Sequence, residues 1–481
     1  MKLRALLKNV NVLETTANME MDIPAVTSDT RKDMAAGSLF VALSGFAFDG
    51  NRYIPAALEK GAAVVVTAKK PEIDVPYVLV DDDRLALARI GANYYGHPAD
   101  AMTMIGVTGT NGKTSVTWLL KQVLEKCKGA NVGLIGTMEN HIGDLVLATD
   151  RTTPESIQLQ QLFAQMADAG CQYVVMEVSS HAIALHRVEG IHFAVAAFTN
   201  LTEDHLDFHK TMENYGLTKA ELFAHCDRAV VNGDSPWGQR MVAGKHIPVL
   251  TTAVDGCGDL RAENIVFSGE GLHFTAIFGE ESAKISVPIP GKFTVYNVLT
   301  VLGIALQLGI SLEDAAKALE KVHGVKGRVE VVPTLGKDFT ILIDYAHTPD
   351  GLENVLSAVR GFCKGRLIAV FGCGGDRDRT KRPIMGEIGV RLADLAVITS
   401  DNPRTEKPGA IIDDILAGLG NAENYIAIEN RVEAIHYAIN IAKKDDIIVL
   451  AGKGHETYQE VMGVKYHMDE REIVAQYLEE K

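Results

Sequence analysis

The segment GVTGTNGKTS, at residues 106–115, most constrains how this chain can fold. A short apolar run at residues 102–105 precedes it, and the apolar residues after it recur at the spacing of one helix face: Val116, Leu119, Leu120, Val123 and Leu124. A strand, a glycine-rich loop and a helix N-terminus bind phosphate, because glycine lets the backbone approach and the free N–H groups face the anion. In this pattern Lys113 reaches the terminal phosphates and the Thr114 hydroxyl ligates Mg²⁺.

The loop departs from the usual phosphate-loop spacing at one position, because Val107 stands where a glycine is expected. An ordinary glycine-rich turn between a strand and a helix is the alternative. The Gly-Lys-Thr sequence at residues 112–114, at the start of the helix, favours phosphate binding over that alternative.

The length of 481 residues predicts about three domains of ~150 residues each. Hydrophobic residues make up 47% of the chain and charged residues 23%, which is typical of globular domains with full cores. The net charge of -15 argues against non-specific nucleic-acid binding. It leaves room for an anionic substrate, since individual loops can still be positive.

The sequence also predicts the cellular compartment in which the protein works. It contains no signal-peptide pattern and no run of about 18 apolar residues, so we expect no membrane segment. The six cysteines are scattered without a CxxC pair or a metal-binding spacing. This usage is typical of reduced thiols in a cytoplasmic enzyme.

Residues 1–98 form the first predicted domain. Its predicted elements are strands at residues 38–43, 62–67 and 77–80 and helices at residues 54–60 and 84–95. The polar segment at residues 26–31 predicts a surface loop, and the turn-forming sequence at residues 96–100 ends the domain.

Residues 99–328 form the second predicted domain, which contains the phosphate loop. The apolar run at residues 173–178 lacks alternation, as expected for a parallel strand covered on both faces, and it contains Glu177 near its end. A carboxylate there is costly unless it meets a cation, and beside a phosphate loop that cation would be Mg²⁺. A capping role for Glu177 is the alternative.

A second strand, at residues 194–198, leads into a loop rich in acids and histidines, TNLTEDHLDFH at residues 199–209. A single histidine there would be structural more often than a ligand, but the cluster at a strand end favours a metal or phosphate role. Mg²⁺ fits better than zinc, because no cysteines accompany the histidines. Lys219 follows in a predicted helix at residues 212–225, where the ordinary position of a lysine is in solvent.

The second domain ends with three further predicted features. Residues 260–290 predict a hairpin with strands at 265–267 and 272–277, and residues 296–308 predict a helix that begins near Asn297. Residues 324–336, which include Arg328, predict a linker.

Residues 329–481 form the third predicted domain. Four short apolar strands are separated by helix-like segments, at residues 340–343, 367–371, 395–399 and 447–451. This order predicts a parallel, doubly wound sheet, in which ligands bind at the carboxyl ends of the strands. Unusual polar residues follow all four strands. No GxGxxG motif follows the first of them, so a nicotinamide cofactor is not supported.

The residues after these strands indicate an amino-acid pocket. Arg377 and Arg404 can each grip a carboxylate with two hydrogen bonds, and Glu456 can hold an ammonium group. The Asn-Lys-x-Asp tetrapeptide of guanine-specific GTPases is absent from the sequence, and a motor or a signalling switch would not need this pocket. ATP together with an amino acid suggests activation of a carboxylate and its capture by an amine.

The chain resembles the ATP-dependent Mur ligases of peptidoglycan synthesis over essentially its whole length. The resemblance rests on five motifs: TGTNGKT at residues 108–114, EVSSH at 177–181, NL with DHLD at 200–201 and 204–207, DYAHTP at 344–349, and GKGHE at 452–456. It implies an α/β fold of three domains. These are an N-terminal UDP-substrate-binding α/β domain, a central P-loop ATPase-like α/β domain with a mainly parallel sheet, and a C-terminal Rossmann-like doubly wound domain.

The resemblance also implies a reaction. The γ-phosphate of ATP goes to the D-glutamyl γ-carboxylate of UDP-N-acetylmuramoyl-L-alanyl-D-glutamate, and an amine of meso-2,6-diaminopimelate attacks the acyl phosphate. Within the family, DNPR at residues 401–404 accompanies diaminopimelate, while lysine-adding relatives differ there. The chemistry agrees, because an arginine suits the second carboxylate that lysine lacks. The product would serve cell-wall biogenesis, and through it cell shape and division.

The resemblance assigns roles to individual residues. Catalytic roles go to Lys113, Lys219 and His205, and metal binding to Thr114, Glu177, His205 and Lys219 as a carbamate. ATP binding goes to Gly109, Thr110, Asn111, Gly112, Lys113, Thr114, Ser115, Asn297, Arg328, Asp344 and His347. UDP-muramoyl-dipeptide binding goes to Thr30, Thr152, Thr153, Ser179 and Arg187. Diaminopimelate binding goes to Arg377, Asp401, Asn402, Pro403, Arg404, Gly452 and Glu456. Leu185 and the segment at residues 46–48 differ from relatives, so we assign them no contact.

Three alternatives remain at this point. A sister enzyme would add L-lysine or another amino acid. A folylpolyglutamate synthase-like ligase would share the phosphate loop, but Thr152, Thr153 and the first domain count against it. A non-catalytic ATP-binding regulator would not need Arg377, Arg404 and Glu456 beside an intact Lys113. We therefore expect a monomeric enzyme that uses Mg²⁺, ATP and two small-molecule substrates, with no nucleic-acid or membrane partner.

Overall fold

The computed structural model of the chain describes residues 1–31, 33–45, 49–268 and 271–480. The segment at residues 46–48 lies outside the described part. Contacts divide the chain into two units, of which the first is Met1–Leu260 with Thr300–Ser311 and the second is Arg261–Leu299 with Leu312–Lys481. No helix in the described part is long and apolar enough to span a membrane.

The first unit begins with a sheet of order β1-β5-β4-β3-β2. Its strands are β1 (Val12–Thr15), β2 (Val26–Thr27), β3 (Ser38–Ala42), β4 (Ala62–Thr67) and β5 (Tyr77–Val80). Its helices are α1 (Leu3–Leu6), α2 (Ile54–Glu59) and α3 (Asp83–Tyr95). All strand pairs are parallel except β1 with β5.

The three predicted strands of this sheet are present, because β3, β4 and β5 are apolar runs buried on both faces. The loop predicted at residues 26–31 is wrong at its start, where Val26–Thr27 pairs with β3. Two residues are too few to show a strand pattern. Helix α3 has clear end signals in Asp82, whose side chain accepts from the first-turn N–H groups, and in Gly96 at φ +72°.

The same unit contains a second sheet, of order β13-β12-β11-β6-β10-β7-β8-β9. Its strands are β6 (Thr103–Thr108), β7 (Val132–Ile135), β8 (Glu139–Ile142), β9 (Leu145–Ala148), β10 (Tyr173–Glu177), β11 (Phe193–Phe198), β12 (Cys226–Asn232) and β13 (Val249–Ala253). Its helices are α4 (Lys113–Lys128), α5 (Ser156–Asp168), α6 (Ser180–Ala184), α7 (Leu206–His209), α8 (Met212–Ala220) and α9 (Gly238–Met241). The pairs are parallel apart from those that add β8 and β9.

The second unit begins with strands and helices that the sequence only partly predicted: β14 (Leu260–Ser268), β15 (Gly271–Phe278), β16 (Glu281–Val287), α10 (Lys292–Gln307) and α11 (Leu312–Leu319). The predicted hairpin is a set of three strands in the order β14-β15-β16. Helix α10 starts four residues before its predicted start, and the division between the units falls within it.

The second unit continues with a sheet of order β17-β18-β22-β19-β20-β21. Its strands are β17 (Glu330–Val332), β18 (Thr340–Asp344), β19 (Leu367–Phe371), β20 (Leu395–Ile398), β21 (Tyr425–Ala427) and β22 (Ile447–Ala451), and a hairpin of β23 (Tyr458–Val461) and β24 (Val464–His467) follows. Its helices are α12 (Pro349–Arg360), α13 (Lys381–Leu392), α14 (Pro408–Leu416), α15 (Arg431–Ile441) and α16 (Glu470–Glu479).

The parallel doubly wound sheet predicted for this region is confirmed, because β18 to β22 pair in parallel in a crossed-over order. The linker predicted at residues 324–336 is wrong in its middle. Residues Glu330–Val332 form β17, which pairs antiparallel with β18. Three residues beside a glycine-rich stretch show too little pattern to predict an edge strand.

A buried ion pair links two helix starts in this unit. Arg431 Nε lies 2.8 Å from Glu470 Oε1, and both side chains are at most 1% exposed. We expect Arg431→Met to lower the free energy of unfolding by about 3–5 kcal/mol, because Glu470 is left buried without its cation. Urea unfolding followed by circular dichroism measures this. The double variant Arg431→Leu with Glu470→Leu should recover part of the loss, and a double variant no more stable than the single one would contradict the explanation.

Candidate active site

The glycine-rich loop leaves β6 at Thr108 and enters α4 at Lys113. Gly109 has φ +147°, and a Cβ there would lie 1.9 Å from Thr199 Oγ1. Gly112, with φ +86°, caps the helix. Val107 still lies within β6 and is fully buried, so this loop needs its glycine at position 109 and none at position 107.

The loop that follows β11 holds the glycine-rich loop in place. Asn200 accepts hydrogen bonds from Thr110 N through its carbonyl oxygen and from Asn111 N through Oδ1, both at 2.9 Å. Thr199 Oγ1 donates to the Asn111 carbonyl oxygen at 2.6 Å. Two strand ends that are far apart in sequence therefore meet at one edge of the sheet, where parallel sheets bind ligands.

Two lysines converge on one carbonyl oxygen. Lys113 Nζ and Lys219 Nζ each donate to the Gly109 oxygen at 2.9 Å, and Lys113 also donates to the Thr110 oxygen at 2.8 Å. Lys219 is 1% exposed, so the solvent position that is ordinary for a helix lysine does not apply. Burial, and then the charge of Lys113, hold the pKa of Lys219 well below its usual value. Lys219 therefore loses its proton more readily than a lysine in solvent.

Glu177 lies 1% exposed at the end of β10, beside Val107 of β6 in the parallel register. Its carboxylate accepts from Thr137 N at 2.8 Å and from Thr137 Oγ1 at 2.9 Å. Thr137 Oγ1 also lies 3.0 Å from Thr152 Oγ1. The geometry thus joins a predicted metal ligand to a predicted substrate residue through one threonine.

The other residues predicted to bind the nucleotide sugar also gather here. Thr153 Oγ1 donates to the Glu177 carbonyl oxygen at 2.9 Å and accepts from Ser179 N at 3.2 Å. Arg187 Nη1 donates to the Thr153 carbonyl oxygen at 3.1 Å, and its Nη2 pairs with Glu155 at 2.7 Å.

Thr30 lies in a turn of the first sheet, where its carbonyl oxygen accepts from Lys60 Nζ at 2.7 Å. The pKa of the neighbouring Arg31 is raised, mainly by its hydrogen bond to Asp29 and in smaller part by Asp150.

The two histidines of the 199–209 loop, His205 and His209, have different surroundings. His205 is half-exposed, lies 3.4 Å from Asp204 and packs its ring 4.8 Å from His181. His209 is buried, forms a 2.9 Å hydrogen bond with Ser180 Oγ, and has a pKa lowered to about 4 by burial and by His181. Among the described residues, no group of three or more His, Cys, Asp or Glu side chains could hold a metal by itself.

Three of the ATP residues predicted in the second unit, Asp344, Arg328 and His347, lie around the end of β18. Asp344 is buried, and its carboxylate accepts from Val329 N and Ala346 N, each at 2.8 Å. Burial raises the pKa of Asp344, against the opposing charge of Arg328. The Arg328 guanidinium lies 5.4 Å from the centre of the Tyr345 ring, and His347 Nδ1 lies 2.8 Å from the Tyr345 carbonyl oxygen. Asn297 is buried on α10.

The two predicted carboxylate-binding arginines both lie close to Gly374. A Cβ on Gly374 would be 2.8 Å from Arg404 Nη1 and 3.9 Å from Arg377 Cγ. Arg377 is exposed, and Arg404 is one-fifth exposed and donates to the Gly375 carbonyl oxygen at 2.8 Å. Arg404 has φ +51°. Its backbone N–H and carbonyl groups are hydrogen-bonded to the β23–β24 hairpin, and these bonds stabilise that conformation.

The remaining diaminopimelate residues lie around the ends of β20 and β22. Asn402 Nδ2 donates to Glu456 Oε2 at 2.8 Å. Asp401 is buried, and its Oδ2 has no hydrogen-bond partner among the described residues. A Cβ on Gly452 would lie 2.6 Å from that oxygen. Pro403 is buried directly before Arg404.

Sequence reasoning missed Thr137, which holds the Glu177 carboxylate and touches Thr152. A signal for it existed, because it follows β7 at the same carboxyl edge as the phosphate loop. It also missed Tyr215, whose ring lies 4.4 Å from Lys219 Nζ and whose pKa burial raises to about 12. Nothing in the helix pattern around Tyr215 indicated that contact.

Comparison with protein families gives three matches along the chain: the Mur ligase family catalytic domain at residues 23–95, the Mur ligase middle domain at 107–305, and the Mur ligase glutamate ligase domain at 327–454. A curated relative from Clostridium tetani, the UDP-N-acetylmuramoyl-L-alanyl-D-glutamate--2,6-diaminopimelate ligase, is 47% identical over all of both chains. This chain belongs to the Mur ligase family.

Solved structures agree with this Mur ligase assignment and with its three-domain α/β fold. A UDP-N-acetylmuramoyl-L-alanyl-D-glutamate--2,6-diaminopimelate ligase superposes with a TM-score of 0.75 at 30% identity, covering 100% of this chain and 99% of that one. The folylpolyglutamate synthase of Mycobacterium tuberculosis shares the fold at 17% identity and a TM-score of 0.61, covering 76% of this chain and 92% of that one.

Proposed function

We propose that this Mur ligase joins meso-2,6-diaminopimelate to UDP-N-acetylmuramoyl-L-alanyl-D-glutamate at the expense of ATP. It is an ATP-dependent acid–amino-acid ligase of peptidoglycan synthesis. The reaction passes through an acyl phosphate on the D-glutamyl γ-carboxylate, which an amine of diaminopimelate then attacks with release of phosphate.

One observation carries the proposal for the first half of the reaction. Thr152 contacts Thr137, and Thr137 donates both its N–H and its hydroxyl to Glu177. Glu177 is paired in register with β6, the strand that leads into the phosphate loop. This chain of contacts supports an acceptor carboxylate bound at Thr152 within reach of a phosphoryl group bound at the loop.

The residues of the loop would act by binding and charge. Gly109 and Gly112 let the backbone approach the phosphates, and the N-terminus of α4 turns its free N–H groups toward them. Lys113 would exchange its carbonyl partners for phosphate oxygens and balance the charge that develops during transfer. Arg187 would orient an acidic group of the dipeptide.

The donor set fits Mg²⁺, because a threonine hydroxyl and a buried carboxylate are the hard oxygen ligands that this ion prefers. We propose that Thr114, Glu177, His205 and a carbamate of Lys219 would hold it, where it would neutralise phosphate charge. The low pKa of Lys219 supports the carbamate, since a neutral amine can attack CO₂ and lose one proton to give an anionic oxygen ligand.

The carbamate gives a prediction of its own. Lys219→Met should lower kcat about 100-fold, because it removes a charged group at the transferring phosphate. Wild-type protein kept under ¹³C-bicarbonate should show a carbamate carbonyl signal in its NMR spectrum, and Lys219→Met protein should not. Full activity of wild-type enzyme that has been stripped of CO₂ and assayed without bicarbonate would contradict the carbamate.

In the second unit, Asp344, Arg328, His347 and Asn297 would contact ATP. Arg377 and Arg404 would grip diaminopimelate through a carboxylate, and Asp401 and Glu456 would receive an ammonium group. The unpartnered Asp401 Oδ2 beside Gly452 supports this, because a buried carboxylate oxygen without a donor is unfavourable until a ligand supplies one. The remaining contacts would come from Asn402 and Pro403.

Several wider assignments belong to the same proposal. The domains would be 1–98 for the UDP substrate, 99–328 for ATP and 329–481 for the amino acid. The enzyme would work as a cytoplasmic monomer with small-molecule substrates only, since ATP and nucleotide sugars are made there. A lysine-adding activity is the nearest alternative, and the pair Arg377 and Arg404 argues for a second carboxylate instead.

An isotope experiment tests the reaction type. The purified enzyme receives ATP, diaminopimelate and UDP-muramoyl dipeptide carrying ¹⁸O in the D-glutamyl γ-carboxylate. The proposal predicts that one ¹⁸O appears in the released phosphate, because the carboxylate oxygen that attacks phosphorus stays with it. Phosphate without ¹⁸O would refute the acyl phosphate. Activity on a folate with glutamate would instead favour the folylpolyglutamate synthase-like alternative.

A further inference from the structure

Lys453 is a fully buried lysine to which the reaction described above gives no role. It lies in the loop after β22, and its side chain is 0% exposed. Its ammonium group donates to Asn402 Oδ1 and to Glu456 Oε2, each at 3.0 Å, and lies 5.5 Å from the centre of the Tyr458 ring. A buried charge is tolerated only when it is paired and hydrogen-bonded, and these contacts meet both conditions.

The contacts of Lys453 form a closed ring. Asn402 Nδ2 donates to Glu456 Oε2 at 2.8 Å, the same oxygen that accepts from Lys453. An ammonium group can only donate and a carboxylate can only accept, so the Asn402 amide fits in one orientation. Its oxygen must face Lys453 and its NH₂ group must face Glu456. Glu460 N also donates to the Asn402 oxygen, at 2.9 Å. Lys453 is the group that bonds to both side chains at once, and so it helps to fix how the two are presented together.

The ring also leaves part of Glu456 open. The hydrogen bonds that Glu456 accepts from described residues all reach Oε2, while the side chain is 13% exposed. Its other oxygen is thus available to a ligand. A single carboxylate can bind a buried lysine through one oxygen and a substrate ammonium through the other.

We propose that Lys453 is a positioning residue of the amino-acid pocket. It holds the Asn402 amide and the Glu456 carboxylate in the arrangement that receives the amino acid. Lys453 does not touch the substrate, because it is wholly buried behind its two partners. This inference rests on the proposed function, in which Asn402 and Glu456 bind diaminopimelate.

The cation that pairs with Glu456 is Lys453 and not Arg328. Arg328 lies over the Tyr345 ring, 5.4 Å from its centre. Within the described part of the chain, Lys453 is the cation that forms an ion pair with Glu456.

The test replaces Lys453 by methionine, which keeps the length of the side chain and removes its charge. We expect the KM for diaminopimelate to rise about 10- to 100-fold, as for loss of hydrogen bonds to a charged group. We expect kcat and the KM for ATP to stay within about threefold, because neither the loop residues nor the transferred phosphate are touched.

The split between KM and kcat separates positioning from simple loss of stability. A protein that is only less stable gives fewer active molecules and so a lower apparent kcat with an unchanged KM. Displaced Glu456 and Asn402 side chains instead raise the KM for diaminopimelate. A variant KM for diaminopimelate within threefold of wild type would overturn the inference.

Two further variants complete the test. Arg366→Met removes the cation that binds the buried Asp446 at the opposite, amino end of β19 and β22, so it should lower stability and leave the KM for diaminopimelate unchanged. Lys453→Gln keeps one donor and replaces Lys453→Met if that protein does not fold, with the same expected trend. Glu456→Gln tests the proposed function directly. A raised KM in Glu456→Gln with none in Lys453→Met would refute only the positioning role, and an unchanged KM in Glu456→Gln would refute the pocket itself.

Discussion

Replacement of Lys113 by methionine is expected to lower kcat about 1000-fold or more, because the enzyme loses the side chain that balances charge on the transferring phosphoryl group. In the structure its ammonium group donates to two carbonyl oxygens of the glycine-rich loop, those of Gly109 and Thr110. Steady-state release of phosphate in the presence of all three substrates measures the effect.

The matched control is Lys126→Met, which removes an exposed lysine from the last turn of the same helix. We expect it to leave kcat unchanged. The KM for diaminopimelate in residual Lys113→Met activity should also be unchanged, since the residues proposed to bind diaminopimelate do not include Lys113. Near-normal kcat in Lys113→Met would remove the phosphate loop from the mechanism.

Replacement of Arg404 by methionine is expected to raise the KM for diaminopimelate about 100-fold or more, because a carboxylate loses its charged hydrogen-bond partner. Binding of ATP, measured by calorimetry, should be unaffected. The same change should affect L-lysine much less, since lysine has no second carboxylate. The ratio of kcat/KM for the two amino acids is therefore the sharpest measure of this side chain.

Arg379→Met serves as the control, because Arg379 is a mostly exposed arginine of the neighbouring loop whose ion pair is with Glu406. It should change neither KM. If Arg404→Met kept a normal KM for diaminopimelate, or lowered activity with both amino acids equally, Arg404 would not be the residue that binds the second carboxylate of diaminopimelate.

The parts of the fold that the sequence predicted are those with strong apolar patterns. The strands β4, β10, β19 and β22 are apolar runs, apart from Thr67 and Glu177 at the ends of β4 and β10, and they fall within one residue of their predicted bounds. Among the strands that the sequence did not predict, β1, β2 and β17 have two to four residues and are mostly exposed or half-buried. Edge strands of this length depend on their neighbours for pairing, which a single sequence does not reveal.

The candidate site shows the same division. Motifs at strand ends indicated the glycine-rich loop and Glu177, because a parallel sheet brings those ends together. The sequence could not show that Lys219 is buried against Gly109, because the sequence pattern around a helix lysine is the same whether its side chain faces solvent or the core. It also could not show that Gly109 lies tightly against Thr199, because Thr199 belongs to the loop after another strand.

A competition assay tests the central claim most directly. The enzyme receives ATP, UDP-muramoyl dipeptide and an equimolar mixture of meso-2,6-diaminopimelate and L-lysine, and the nucleotide products are separated by mass. We predict that the diaminopimelate product forms in excess over the lysine product by about 100-fold or more, as the loss of one charged contact would require. Equal amounts of the two products, or mostly the lysine product, would contradict the account.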